Sequence, residues 1–437
     1  MRSPRNRPRL RRPRFLYRQE WTAKVGQTGL PHDKLSPGRS NGRKGSVGTE
    51  EPIGHSGEAV NGKLIFLVLF PLLASACAVE RDRPVGLRFC HYSDASRRSW
   101  STSGPRPLET LLWYPAKKGT KVNSHTVAIF RTGAYAVDAA FPEGDRKYPL
   151  ILLSHGTGGS AFSLAWLAEA LAREGYIVAA LNHHGNTGAE PKYLLQGFIL
   201  WWERPQDIRA VLDRLLEDET LRDRIDRKRI GVAGFSLGGY TALSAVGARL
   251  AIGKWGNDPA SWERGTLGRL PPEASFSMVD AKRMIGSDDS FIQSIRRADD
   301  SYLDDRIKAA FVIAPPLGPL LNADSLSKIG VPVKIIVGSR DDQAVPEENA
   351  IPIADHIPGA ELEIVEGAGH YVFLCEGSFM GMLADRTHLV DPSGVDRAKI
   401  HERVGNEACE FFDRSLSVEY PLSPGGDRRM KWTGRKG

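Results

Sequence analysis

Apolar and polar positions change period repeatedly along this chain of 437 residues. Tyr148 to Ser154 (YPLILLS) is an unbroken apolar run, the pattern of a strand buried on both faces of a parallel sheet. Phe162, Leu164, Leu167 and Leu171 then recur at helical spacing and predict a helix over Phe162 to Glu174. The alternation continues with strands predicted at Tyr176 to Leu181, Ile230 to Ala233, Ala309 to Ile313, Val333 to Val337 and Glu361 to Val365. Helices are expected at about Arg204 to Leu215, Leu237 to Leu250 and Glu347 to His356. A last long helix, Val395 to Leu416, puts Ile400, Val404, Ala408 and Phe411 on one stripe. Strands alternating with helices predict an α/β fold, a mostly parallel central sheet with helices on both faces. The folded domain is expected over residues 79–420. Residues 252–305 break the alternation with mixed Trp, Pro, Asp and Ser content, so an insertion is expected there, either a lid that shapes a pocket or a loop without that role.

The ends of the chain read differently. Residues 1–60 are rich in Arg, Pro, Gly and Ser, show no sustained period and are expected to be disordered. They hold 13 Lys and Arg against 5 Asp and Glu, while the whole chain carries +7, so the remaining 377 residues sum to −1. Basicity belongs to this extension and to a short basic tail over 421–437. The folded part has no global field to recruit a polyanion, and no nucleic-acid partner is expected. Lys63 precedes an apolar-to-small run, Leu64 to Ala78 (LIFLVLFPLLASACA). That is the length of a signal-peptide core and falls short of the roughly 20 residues a spanning helix needs. Residues 61–78 are therefore expected to be an export signal, with a buried apolar element as the alternative. The natural start is then expected near Val60, and the protein in the periplasm or cell envelope. Ala74, Ser75 and Ala76 before Cys77 suit signal cleavage and also resemble a lipoprotein box, so a membrane association is expected only through lipid at Cys77.

Composition narrows the class further. With 41% apolar and 25% charged residues, 45 glycines and four cysteines, the chain is neither a collagen-like repeat, nor wholly disordered, nor a disulfide-dense mini-protein. Beyond the signal-like segment remain Cys90, Cys375 and Cys409, an odd number that allows at most one bridge within a monomer. No CxxC or His-rich spacing occurs, so neither structural zinc nor any other cofactor is expected.

The candidate chemistry starts from G-x-S-x-G, which occurs twice. Gly38 to Gly42 lies in the polar arm with no strand before it. Gly234 to Gly238 (GFSLG) follows the apolar run RIGVA and opens a helix, the strand, sharp turn and helix that lift a serine hydroxyl above a sheet. Ser236 is the candidate nucleophile. Serine needs a base and an orienting acid, which in this arrangement follow in the order acid, His. His370, flanked by small residues in GAGHYVF after the run ELEIV, is the expected base. The acid lies in SRDDQAVP, after VKIIVG, and is Asp341 or Asp342. Asp342 is favoured because it stands four residues before Pro346. His155-Gly156-Thr157-Gly158-Gly159 follows the first buried strand, and the backbone N–H groups of Thr157 and Leu237 are the expected oxyanion donors. GTGGS lacks the Lys of a P-loop and the spacing of a dinucleotide site. His91, His125, His183, His184, His388 and His401 have no comparable setting and are expected at the surface or in packing. Trp201, Trp202, Trp255, Trp262 and Phe276 are candidates either for an apolar pocket or for core and lid packing.

From about Val85 to Leu416 the chain resembles the α/β-hydrolase family, and more narrowly its predicted dienelactone-hydrolase branch, which is related to the platelet-activating-factor acetylhydrolases. The resemblance rests on LLWYPA, LSHGTGGS, LAEALAREGYIVAALNHHGNT, GFSLGGYTAL, DDRIKAAFVIAPPLG, GSRDDQAVP, GAGHYVFL and VDRAKIHERV in collinear order. It implies an α/β-hydrolase fold with an inserted lid region, the acid four residues before the proline (Asp342) and the His of GAGH as base. It also implies hydrolysis of small esters or lactones through an acyl-enzyme. Amide or peptide hydrolysis on the same triad is the catalytic alternative, and a non-catalytic binding module on this scaffold is the alternative outside catalysis.

Overall fold

The structure is a computed structural model that describes residues 83–253, 276–285 and 289–417. Both predicted terminal segments, 1–60 with 61–78 and 421–437, lie outside the described residues, as does 254–275 of the expected insertion. No described helix is long and apolar enough to cross a membrane.

Among the described residues ten strands form the sheet, β1 (Val85–Arg98), β2 (Pro105–Pro115), β3 (Asn123–Val127), β4 (Phe130–Val137), β5 (Tyr148–Ser154), β6 (Ile177–Leu181), β7 (Ile225–Phe235), β8 (Ile307–Ile313), β9 (Val333–Gly338) and β10 (Glu361–Val365). Their spatial order is β10-β9-β8-β7-β5-β6-β2-β1-β4-β3. From β5 to β10 every pairing is parallel, and β2 joins β6 antiparallel. The helices used below are α1 (Ala165–Glu174), α2 (Leu195–Ile199), α3 (Glu203–Glu217), α4 (Leu237–Ala245), α5 (Met278–Ile285), α6 (Asp289–Arg296), α7 (Ala323–Leu326), α8 (Ala350–His356), α9 (Phe379–Ala384), α10 (Arg386–Leu389) and α11 (Arg397–Ser415). The expected α/β architecture is therefore present. Its opening, five strands before any helix with four of them at one edge of the sheet, exceeds what the apolar pattern resolved.

Burial explains the central strands. Every residue of β5 and β6 is buried, so side chains on both faces are covered and the runs read as continuously apolar. The two covers are visible at β7, where residues an odd number apart point to opposite faces. A side chain at Gly231 would meet Phe412 of α11, whereas one at Gly234 would meet the first turn of α4. On β8, Phe311 packs on Phe411 and Phe412, with ring centroids 5.9 and 6.2 Å apart. Of the predicted α11 stripe, Val404, Ala408 and Phe411 are buried and Ile400 is only half-buried. The predicted helix over Leu237 to Leu250 is shorter, closing at Ala245.

The described part of the insertion packs sideways on the fold. Phe276 meets Phe198 of α2 at 5.7 Å, and Ser294 of α6 accepts from Trp202 Nε1 at 2.9 Å while donating to Glu203 at 2.5 Å. Cys90, Cys375 and Cys409 are buried and unpaired, and burial pushes the Cys375 thiol up to about 12.

One contact between the two end helices bears on the site. Trp166 of α1 and His401 of α11 stack with centroids 4.2 Å apart and planes 2° apart. Trp166 Nε1 donates to the Phe373 carbonyl at 2.8 Å, and His401 Nε2 donates to the Val372 carbonyl at 2.8 Å. Both carbonyls belong to the short turn His370–Phe373. Burial pushes His401 down to about 3, and likewise His183, where burial is joined by the Arg204 cation. A histidine held neutral when folded takes up a proton only on unfolding, so its stabilisation is present above about pH 6.5 and is lost as pH falls toward 3. Each such residue costs about 2 kcal/mol at pH 5. Glu363, raised to about 7 by burial and by Glu407, works in the opposite direction. The melting temperature should fall from pH 7 to pH 5, and His401→Gln should flatten that fall; a variant as pH-sensitive as the parent in a calorimetric series would refute the assignment.

Candidate active site

The turn between β7 and α4 sets the nucleophile. Ser236 has φ 55° and ψ −124°, a conformation that residues with a Cβ rarely adopt and that costs on the order of 1–3 kcal/mol. The backbone holds it there: Ser236 N–H donates to the Ile313 carbonyl at 2.8 Å, and the Ser236 carbonyl accepts from Gly239 at 2.6 Å. A Cβ at Gly234 would lie 2.0 Å from the Gly238 carbonyl, and one at Gly238 would lie 2.0 Å from the Ser154 carbonyl. The two glycines of GFSLG are thus required by the close approach of strand, turn and helix. Ser236 stands at the amino end of α4, where unpaired N–H groups favour negative charge.

The other two elements arrive from the carboxyl ends of β9 and β10. Ser339 N–H donates to the Val365 carbonyl at 3.0 Å and Arg340 N–H to the Ala368 carbonyl at 2.9 Å, which zips the loops together. His370 then stands with Nε2 3.0 Å from Ser236 Oγ and Nδ1 2.7 Å from Asp341 Oδ2. The imidazole lies against the Phe235 ring, 4.8 Å between centroids.

The structure brings Ser236 and His370 together but corrects the favoured acid. Asp341, not Asp342, meets the imidazole. Its second oxygen accepts from Gln343 N–H at 2.9 Å and Ala344 N–H at 2.7 Å, so its carboxylate caps the turn from inside and is 3% exposed. Consecutive residues of a tight turn diverge, and Asp342 is exposed and, among the described residues, accepts from the Gln343 side chain at 3.2 Å. The spacing to Pro346 misled by one residue.

These groups open on a cleft of about 690 Å³, on whose wall lie Thr157, Leu237, Trp201, Leu317 and Tyr371. No described residue accepts a hydrogen bond from the backbone N–H of Thr157 or Leu237. The Thr157 loop is pinned by Gly158 N–H to Asn186 Oδ1 at 2.6 Å and by Tyr193 Oη to the Gly158 carbonyl at 2.7 Å. Of the aromatic candidates, Trp201 lines the cleft, Trp202 and Phe276 pack elsewhere, and Trp255 and Trp262 lie outside the described residues. His125 stacks on Tyr135, and His184 accepts from the Trp100 N–H at 2.9 Å, both packing roles. His388 departs from expectation: it lines the cleft, 2.7 Å from Asp385 and edge-on to Tyr371 at 4.3 Å. It sits beyond the last predicted strand, where no periodicity could place it. A hydroxyl bonded to an imidazole whose far nitrogen meets a buried carboxylate is the arrangement that activates serine as a nucleophile.

The family model described as alpha/beta hydrolase family matches residues 150–378, and the chain belongs to that family. Cutinase est2 of Thermobifida alba is 29% identical over 150 residues, 33% of this chain and 46% of that protein. Cutinase est1 of the same organism is 31% identical over 151 residues, with the same coverage. The chain thus spans less than half the length of these curated relatives. An uncharacterised 31.7 kDa protein of the Escherichia coli traX-finO intergenic region is 24% identical over 269 residues, 56% of this chain and 90% of that one. Ferulic acid esterase from Streptomyces cinnamoneus, a solved structure, superposes with a TM-score of 0.52 at 22% identity, over 78% of this chain and 94% of that one, a likeness of fold.

The two neighbouring aspartates can be separated by reactivity. Asp341→Asn should slow covalent capture of Ser236 by a neutral fluorophosphonate by about 10³-fold or more, while Asp342→Asn stays within a few-fold of the parent. Mass spectrometry of the labelled peptide over time reads both rates, and the reverse ranking would return the acid to Asp342.

Proposed function

We propose that this chain is a serine carboxylic-ester hydrolase acting on small esters or lactones through an acyl-enzyme. The observation that carries the reading is the line Ser236 Oγ, His370, Asp341 at 3.0 and 2.7 Å, opening on the cleft. His370 takes the Ser236 proton as the oxygen attacks the substrate carbonyl, and Asp341 holds the tautomer and steadies the imidazolium. The N–H groups of Thr157 and Leu237 receive the oxyanion. The imidazolium protonates the leaving alcohol, and water then repeats the sequence to release the acid. Likeness to proteins named cutinase supports the ester reading over the amide one. The collinear motifs favour a dienelactone-hydrolase-like or acetylhydrolase-like enzyme within the family. The apolar run before Cys77 supports export to the cell envelope.

Charge on the cleft wall narrows the substrate. Asp342, Glu348 and Asp385 line it, and no described lining residue is Lys or Arg. A carboxylate about 8 Å from a substrate anion repels it by roughly 0.5 kcal/mol in water, and Asp342 and Glu348, with Asp385 offset by its contact with His388, disfavour an anionic ester by about fivefold to tenfold. Neutral esters are the expected substrates. The parent should hydrolyse p-nitrophenyl acetate and turn over the anionic p-nitrophenyl hemisuccinate about fivefold to tenfold less efficiently. Ser236→Ala should abolish both without lowering the melting temperature, and esterase turnover retained by that variant would eliminate the mechanism.

A further inference from the structure

Behind the cleft, Ser154 Oγ lies 2.9 Å from His183 Nε2, and His183 Nδ1 lies 3.0 Å from Asp207 Oδ2. The connectivity repeats that of Ser236, His370 and Asp341. No substrate reaches it, since Ser154, His183 and Asp207 are all 0% exposed. Asp207 is held ionised by Arg106, which donates at 2.7 and 3.0 Å, and by Arg97 at 2.7 Å. His183 Nδ1 therefore donates to the carboxylate, and its Nε2 accepts from the Ser154 hydroxyl. The Ser154, His183 and Asp207 side chains are thus all hydrogen-bonded and make a rigid support. Arg97 Nη2, in ion-pair contact with Asp207, and the Nε and Nη1 of Arg204 are buried beside them with no hydrogen-bond partner among the described residues.

What it supports is His155. The His183 backbone N–H donates to His155 Nε2 at 3.2 Å, so that nitrogen is an acceptor. His155 Nδ1 lies 2.7 Å from the Gly156 carbonyl, which only accepts, so Nδ1 carries the proton. Arg204 Nη2 donates to the His155 carbonyl at 2.6 Å; it also lies 3.3 Å from Nδ1, but two donors form no bond. Burial, with the Arg204 cation beside it, holds His155 neutral, its pKa well below the ordinary range. Both ring nitrogens and the backbone carbonyl of one residue are thus committed.

The consequence follows from peptide geometry. The Gly156 carbonyl and the Thr157 N–H belong to one planar unit, and in a trans peptide they point opposite ways. The Gly156 carbonyl accepts from Gly159 N–H at 3.3 Å and, by the shorter bond, from His155, and tying it back in this way turns the Thr157 N–H toward the cleft. We infer that His155, braced by Arg204 and by the Ser154, His183 and Asp207 chain, is the positioning residue that aims the Thr157 N–H at the substrate oxyanion. The inference rests on the hydrolase reading above.

Kinetics separate positioning from simple stability. With p-nitrophenyl acetate, His155→Ala should lower kcat by about 10²-fold with KM within a few-fold, the loss expected for a misdirected oxyanion donor. His155→Asn, which can return a donor near the Nδ1 position, should recover about tenfold of it. A trifluoromethyl ketone, which forms an oxyanion on Ser236, should lose affinity about as much as kcat falls, whereas a non-reacting ether analogue of the substrate should bind unchanged. Should the alanine variant fail to fold, His155→Asn and Arg204→Gln supply the same comparison between ketone and ether. Equal losses for ketone and ether, or full kcat in a folded variant, overturn the inference. The parent is the control: if it neither hydrolyses the ester nor reacts with a fluorophosphonate, the hydrolase reading itself fails.

Discussion

The site depends on one strained residue. Ser236 is held at φ 55° because β7, the turn and α4 are packed too closely to let the chain relax. Gly234 and Gly238 make that approach sterically open, and the hydrogen bond from Ser236 N–H to Ile313 ties the turn to the neighbouring strand. The strain is supported by the buried strands on either side, since moving the turn would displace β5, β7 and β8 together. The hydroxyl gains a fixed direction and the amino end of a helix beneath any charge that forms on a carbonyl oxygen placed before it.

Everything else reaches the serine from the carboxyl ends of parallel strands. β5 leads into the Thr157 loop, β7 into the turn, β9 into Asp341 and β10 into His370, and in open α/β sheets this edge is where loops converge on a ligand. The helices do more than cover the sheet. Trp166 and His401, from α1 and α11, clamp the carbonyls of the turn that begins with His370. The buried ion and histidine network beneath the Thr157 loop does the same work on the other side. The cost of burying Asp207 with several cations is offset by complete hydrogen bonding of its carboxylate.

The places where the residue pattern and the coordinates part company have a common cause. Asp341 and Asp342 are identical in composition and adjacent in the loop; which one faces the imidazole is decided by the two backbone N–H groups that Asp341 gathers in its own turn. His388 shares the cleft wall through loop packing beyond the sheet, where periodicity carries no information. His183 and His155 are ordinary neighbours of apolar strands in the sequence, and their roles follow only from contacts with residues far along the chain. The free thiols fall in the same class, since an odd count bounds the bridges without saying that Cys90, Cys375 and Cys409 are buried apart.

The amino-acid order alone determined the alternation of parallel strands and helices, because a strand covered on both faces must be apolar throughout and a helix covered on one must repeat every third or fourth residue. It also singled out Ser236 and His370, because a nucleophile turn needs its own glycines and its own strand. Only the tertiary structure decided which aspartate meets the imidazole, which charges line the cleft and which carbonyls hold the loops still. Those depend on distances between segments that sequence separates by dozens to hundreds of residues, and local pattern is blind to such contacts.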